Sequence, residues 1–116
     1  MGKLTTHILD TSAGIPGRGI AIRLYRGEGV AREPLGDYAS NDDGRCDTPL
    51  LEGGEFAVGT YELEFEVGEY FRGTGAIDAN PAFLETVTLR FAIAEDSHYH
   101  VPLLVSPWSY STYRGS

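Results

Sequence analysis

Thr60-Tyr61-Glu62-Leu63-Glu64-Phe65-Glu66-Val67 decides the fold, because Tyr61, Leu63, Phe65 and Val67 alternate strictly with Glu62, Glu64 and Glu66. Only extended backbone puts residues two apart on one side, so the stretch predicts a strand with one dry face and one wet face. The same period recurs in Ile20, Ile22 and Leu24 against Ala21, Arg23 and Tyr25, and in Val87, Leu89, Phe91 and Ile93 against Thr88, Arg90 and Ala92. Turn formers punctuate these runs. Gly14-Ile15-Pro16-Gly17-Arg18-Gly19 is expected to join Leu4–Asp10 and Ile20–Arg26 as a hairpin-like pair. Glu95-Asp96-Ser97 is expected to join Val87–Ile93 antiparallel to a run starting at His98. Pro34 and Pro81 interrupt the stretches Arg32–Tyr38 and Thr74–Ala82, which therefore read as loops or edge strands. Glu69–Arg72, between Gly68 and Gly73, has room for one helical turn. Six to eight short strands and no long helix predict an all-β sandwich.

With 116 residues, one core is the expectation, so residues 1–116 are read as a single domain. A composition of 41% hydrophobic and 22% charged residues is that of a folding globular chain. Nine basic against seventeen acidic residues give a net charge of -8, which repels phosphate backbones and anionic membrane surfaces. Neither nucleic acid nor membrane is an expected partner, and an anionic substrate would need a local cationic pocket. The lone Cys46 excludes an internal disulfide, and the N-terminus shows no apolar stretch of signal-peptide length. The cytoplasm is the expected compartment.

Strand alternation puts His98, His100, Pro102 and Leu104 on one face, and Tyr99, Val101, Leu103 and Val105 on a core face. Two histidines thus share a surface where one ring nitrogen can accept a proton while another donates. A His-x-His pair also suits zinc or copper, but no Cys or acidic cluster of ligand spacing accompanies it, so no metal and no cofactor are expected. Arg45 follows the polar turn Ser40-Asn41-Asp42-Asp43-Gly44, and taken locally it is a surface charge. The ending Ser109 to Ser116 is polar and aromatic and alternates like a strand.

Taken together, Leu4-Thr5-Thr6-His7-Ile8-Leu9-Asp10-Thr11, Asn41-Asp42-Asp43-Gly44-Arg45, His98-Tyr99-His100-Val101-Pro102-Leu103-Leu104-Val105-Ser106-Pro107 and Tyr110-Ser111-Thr112-Tyr113-Arg114-Gly115-Ser116 resemble the 5-hydroxyisourate hydrolases, also called transthyretin-like proteins. The likeness runs from near residue 4 to the last residue. It implies a transthyretin-like β-sandwich of two four-stranded sheets with one short helical turn, assembled as a homotetramer, a dimer of dimers with active sites in a channel. It also implies hydrolysis of 5-hydroxyisourate to 2-oxo-4-hydroxy-4-carboxy-5-ureidoimidazoline in urate degradation. The family's catalytic residues match His7, Arg45 and His100, and its C-terminal tetrapeptide matches Tyr113, Arg114, Gly115 and Ser116. Of these, Ser116 is expected to act in catalysis and Tyr113, Arg114 and Gly115 in substrate binding, with His98 as a supporting or structural residue. Departures lie outside these motifs: Gly17 stands where alanine is common, and Thr74–Phe83 is more variable. The alternative is a non-enzymatic small-molecule carrier of transthyretin type. Such carriers resemble this chain but lack the two histidines, the arginine and the Tyr-Arg-Gly-Ser ending.

Overall fold

The computed structural model describes residues 1–115, and Ser116 lies outside them. In chain order the elements are β1 (Lys3–Asp10), β2 (Ile15–Pro16), β3 (Ala21–Arg26), β4 (Glu33–Ala39), β5 (Leu51–Glu52), β6 (Gly59–Phe65), α1 (Val67–Thr74), β7 (Val87–Ile93), β8 (His98–Val105) and β9 (Tyr110–Thr112). One sheet has the order β4-β3-β6-β7; the other has the order β2-β1-β8-β9, with β5 also paired to β1. The β-sandwich is as expected, and the second sheet exceeds four strands because Leu50 and Leu51 are buried beside Leu4 and bring β5 onto β1.

Each strand turns its alternating apolar set inward. Leu4 and Ile8 of β1, Ile22 and Leu24 of β3, Tyr61, Leu63 and Phe65 of β6, and Tyr99, Val101, Leu103 and Val105 of β8 belong to one buried cluster. Burying one such side chain contributes roughly 1.5–3 kcal/mol, so a one-residue slip, which would turn a whole set outward, is strongly disfavoured. The buried Thr6 hydroxyl donates to the Val101 carbonyl at 2.7 Å, so its inward position costs little.

Three expectations are corrected. The strands β1 and β3 are not a hairpin; they lie in opposite sheets, because each has one apolar face and the two faces cover one another across the core. For the same reason β7 does not pair with β8: β7 is an edge strand on β6, while β8 runs parallel to β1. Helix α1 spans eight residues rather than four. Buried Val67 and Phe71 anchor it, and bonds from its Arg72 to Glu85 at 2.7 and 2.8 Å hold its outer side, so tertiary packing supplies what the glycines withhold. Arg72 and the Ala82 amide hold the Glu85 carboxyl down at about 2. The Pro34 stretch is the edge strand β4, and the Pro81 stretch is a loop.

Asp10, at the buried end of β1, has every oxygen engaged. Its Oδ1 accepts from Ser12 N, Ser12 Oγ and Ala13 N, and its Oδ2 accepts from the Tyr70 hydroxyl at 2.8 Å. Burial and this bond to a carboxylate push the Tyr70 phenol up to about 12. The contact ties α1 to the strand that carries His7. Tyr70→Phe is therefore expected to lower stability by about 1 kcal/mol in urea unfolding with an unchanged slope; an unchanged midpoint would show that this bond contributes nothing net.

Candidate active site

The outer edge of β1 is filled by three separate pieces of chain. At its start Lys3 and Leu4 pair with Glu52 and Leu51, at its end Leu9 and Asp10 pair with Pro16 and Ile15, and between them His7 forms a single bridge with Arg45. The Asn41–Arg45 turn is built for that middle position. The Asn41 side-chain oxygen accepts from the amides of Asp43 and Arg45, and the Gly44 carbonyl accepts from Ile8 N at 2.8 Å. Gly44 has φ 75°, and a Cβ there would collide with the Ile8 carbonyl oxygen. Both facts demand glycine just before Arg45.

On its other edge β1 pairs with β8 in parallel, placing Lys3 opposite His98, Thr5 opposite His100 and His7 opposite Pro102. The free edge of β8 takes the C-terminal segment. Strand β9 pairs along Leu103–Val105, and Gly115 bridges His100 in the same register, its N–H donating to the His100 carbonyl at 2.7 Å. The ladder lapses between them because Pro102, two residues from His100, faces the same edge and has no N–H to give. The Pro102 carbonyl is used instead by the Thr112 hydroxyl at 2.7 Å. A Cβ on Gly115 would come within 2.6 Å of the His100 ring. Glycine at that position lets the chain end lie directly against the imidazole.

These pieces enclose a cleft of about 550 Å³, lined by Lys3, Thr5, Thr6, His7, Arg45, Cys46, Asp47, Thr48, Pro49, His98, His100, Tyr113 and Gly115. The His7 and His100 ring centroids lie 6.4 Å apart. Of the residues singled out from sequence, His7, Arg45, His98, His100, Tyr113 and Gly115 are brought together here. Arg114 is not among the lining residues; its guanidinium lies 3.9 Å over the Tyr99 ring and donates to the His98 carbonyl and the Ser97 hydroxyl. Ser116 lies outside the described residues. Sequence reasoning missed Lys3 and Thr5, which share the His7 face by the two-residue period; the alternation read in the other strands, applied to β1, would have found them.

Burial and then the Arg45 charge lower the basicity of His7, while the Asp43 carbonyl and carboxylate pull weakly the other way. Burial, Arg45, His7 and His98 together lower that of His100. A permanent guanidinium beside two imidazoles thus favours neutral rings. The cleft therefore sets two imidazoles able to take or give a proton, those of His7 and His100, beside a fixed guanidinium, with Lys3 and His98 also on its wall.

This arrangement defines a class: an all-β sandwich whose outward sheet face carries an acid-base cleft assembled from a strand, a turn and the chain end. The chain belongs to the HIUase/Transthyretin family, whose model matches residues 4–115. It is 57% identical over 117 residues to the 5-hydroxyisourate hydrolase of Ralstonia nicotianae, covering all of both chains. It is 60% identical over 116 residues to 5-hydroxyisourate hydrolase 2 of Rhizobium meliloti, covering 99% of this chain and 97% of that one. Among solved structures it matches an (S)-allantoin synthase at TM-score 0.92 and 50% identity, covering 99% of this chain but 44% of that longer one. A sea bream transthyretin solved with thyroxine matches at TM-score 0.85 and 24% identity over 97% of this chain and 94% of that one, a likeness of fold alone.

Both histidines have an ordinary value of 6.5 when unfolded and lie lower when folded. The unfolded chain then binds more protons near and below that value, so stability held above pH 6.5 is lost as the pH falls through the folded values. In an NMR titration His7 and His100 are expected to show midpoints below 6.5, and Arg45→Met is expected to raise both. Midpoints at or above 6.5 would refute the electrostatic picture. Gly115→Ala is expected to shift the His100 ring resonances while leaving those of the buried core in place.

Proposed function

We propose that this chain hydrolyses 5-hydroxyisourate to 2-oxo-4-hydroxy-4-carboxy-5-ureidoimidazoline, a step of urate degradation. The observation that carries the reading is the meeting of His7, Arg45 and His100 in one cleft from three distant parts of the chain, in a protein closely similar to named hydrolases of that substrate. Water adds to a ring carbonyl, and the adjacent carbon–nitrogen bond breaks. In this scheme His7 helps deprotonate the water while His100 orients it or protonates the departing nitrogen. Arg45 holds the negative charge that develops on the carbonyl oxygen. Neither metal nor cofactor is needed, because an acid-base pair and a guanidinium cover every charge that develops.

Within the proposal Tyr113 and Gly115 close the cleft beside His100, and Arg114 contributes by fixing the segment that carries them against Tyr99. Ser116 is assigned a catalytic part with them. The chain acts as one domain and as a homotetramer in the cytoplasm. Exposed Trp108, Tyr110 and Tyr113, near half-buried Leu104 on the cleft-bearing sheet, supply apolar surface for assembly. The carrier reading has the transthyretin fold in its favour but leaves the two histidines and Arg45 without a task.

The test is ultraviolet absorbance decay of 5-hydroxyisourate generated from urate by urate oxidase. Wild type is expected to accelerate decay, and His7→Ala, Arg45→Ala and His100→Ala each to lose roughly a hundredfold or more in kcat/KM. An unchanged spontaneous rate with wild type would leave the carrier reading in place. A variant split into dimers, verified by ultracentrifugation, is expected to lose activity; a fully active monomer would overturn the tetramer requirement.

A further inference from the structure

Thr5 stands between two histidines. Its Oγ1 lies 2.9 Å from His98 Nε2 and 2.8 Å from His100 Nδ1, while Nε2 of His100 has no partner among the described residues. A threonine hydroxyl has one proton to give and two lone pairs to offer, so it can accept from both rings, or accept from one while donating to the other. In the second arrangement the hydroxyl couples the protonation of the two imidazoles. His98 is exposed, whereas His100 is half-buried.

The surroundings choose the direction. His100 faces the Arg45 guanidinium from the Asn41–Arg45 turn, His7 from β1 and His98 from its own strand, and shares the cleft with Lys3, Asp47 and Tyr113. Positive charge dominates there, so His100 is kept neutral and holds one ring proton. His98, exposed to solvent, can offer an Nε2–H to the Thr5 oxygen. With its oxygen accepting from His98, the Thr5 hydroxyl is free to turn its own proton to His100 Nδ1, an arrangement in which the single proton of His100 sits on Nε2.

Resting on the hydrolase reading above, we propose that Thr5 is a positioning residue that holds His100 in the Nε2-protonated tautomer and links it through His98 to solvent. When His100 Nε2 gives its proton to the departing nitrogen, the Thr5 proton passes to His100 Nδ1 and the His98 Nε2 proton passes to Thr5. Water returns one proton to His98, and once product has left the shifts run in reverse, His100 Nε2 taking a proton from water in the cleft as His98 releases one to solvent. One proton enters at the exposed ring, one leaves at the buried ring, and no imidazolium forms beside Arg45. The two histidines of His98-Tyr99-His100 thereby acquire distinct tasks: one gives the proton, the other replaces it.

The test uses the full-length protein labelled with 15N at histidine, together with Thr5→Val, which keeps the shape and β-propensity of the side chain, and Thr5→Ser, which keeps the hydroxyl. Without substrate, wild-type His100 is expected to show an unprotonated Nδ1 and a protonated Nε2. Thr5→Val is expected to move the ring nitrogens of both His98 and His100. It is also expected to cut kcat roughly tenfold or more with KM little changed, and Thr5→Ser to restore both. A wild-type His100 protonated at Nδ1, ring signals indifferent to Thr5→Val, or a Thr5→Ser variant as impaired as Thr5→Val would each overturn the proposal. The ring-nitrogen measurement needs no turnover, so it upholds or overturns the relay by itself; a wild type without activity overturns the hydrolase reading alone.

Discussion

The parallel pairing of β1 with β8 is the constraint on which the rest depends. In one register it sends Leu4, Ile8, Tyr99, Val101, Leu103 and Val105 into the core and leaves Thr5, His7, His98 and His100 on the outer face. Because side chains alternate with a period of two, these outcomes are inseparable, and the hydrophobic free energy that fixes the core also fixes the site. Both free edges of the pair are then put to use. The edge of β1 receives the turn that ends in Arg45, and the edge of β8 receives the segment that ends at Gly115. Edges that would otherwise invite pairing with other chains hold the turn and tail around the cleft.

The outer faces of the two sheets divide the charge between them. On the β4-β3-β6-β7 sheet the acidic side of β6 is matched by arginines: Glu62 meets Arg32 at 2.8 Å and Arg90 at 2.9 Å, and Glu64 meets Arg32 at 2.9 Å. The hydrogen bonds from Arg32 and then Arg90 hold the Glu62 carboxyl below the usual carboxylate range. Four of the nine basic residues, Arg23, Arg26, Arg32 and Arg90, are engaged there. On the cleft-bearing face Lys3 and Arg45 line the cleft, and among the described residues that line it Asp47 alone carries a carboxylate. A chain of net charge -8 thus presents a locally cationic hollow, which is how an acidic protein can attract an anionic ring.

How much of this was legible in the sequence follows from the range of the forces involved. Alternation along β3, β6, β7 and β8 revealed which side chains face inward, because burial acts residue by residue. Which strands pair was not legible: the Gly14–Gly19 stretch between β1 and β3 and the turn after Ile93 read as hairpin connections, yet β1 and β3, like β7 and β8, lie in opposite sheets. That choice depends on two apolar faces finding each other across the core, which neither strand records. The helix was underread for a similar reason, since Gly68 and Gly73 argue locally against it while Val67 and Phe71 are held by packing. Arg45 is the clearest case. Its neighbours mark a turn and nothing more, and only the likeness to known hydrolases joined it to His7 before the bridge between them was seen. The position of Arg114 over Tyr99 had no local signal at all.

Within the proposed reaction the cleft contains a conflict that its geometry must resolve. A guanidinium close enough to hold developing negative charge is also close enough to oppose an imidazolium on either side of it. If His7 kept the proton it takes from water, it would become a cation facing Arg45 at the moment when the charge of Arg45 is needed. The conflict is smallest when a proton leaves one ring as another arrives, and when the oxygen gains charge in step with the ring that takes the proton. Such a site favours closely coupled transfers over a lasting charged intermediate on its histidines. It also requires that the ring which gives a proton recover one without itself becoming charged. A hydroxyl between a half-buried and an exposed imidazole is placed to meet that requirement.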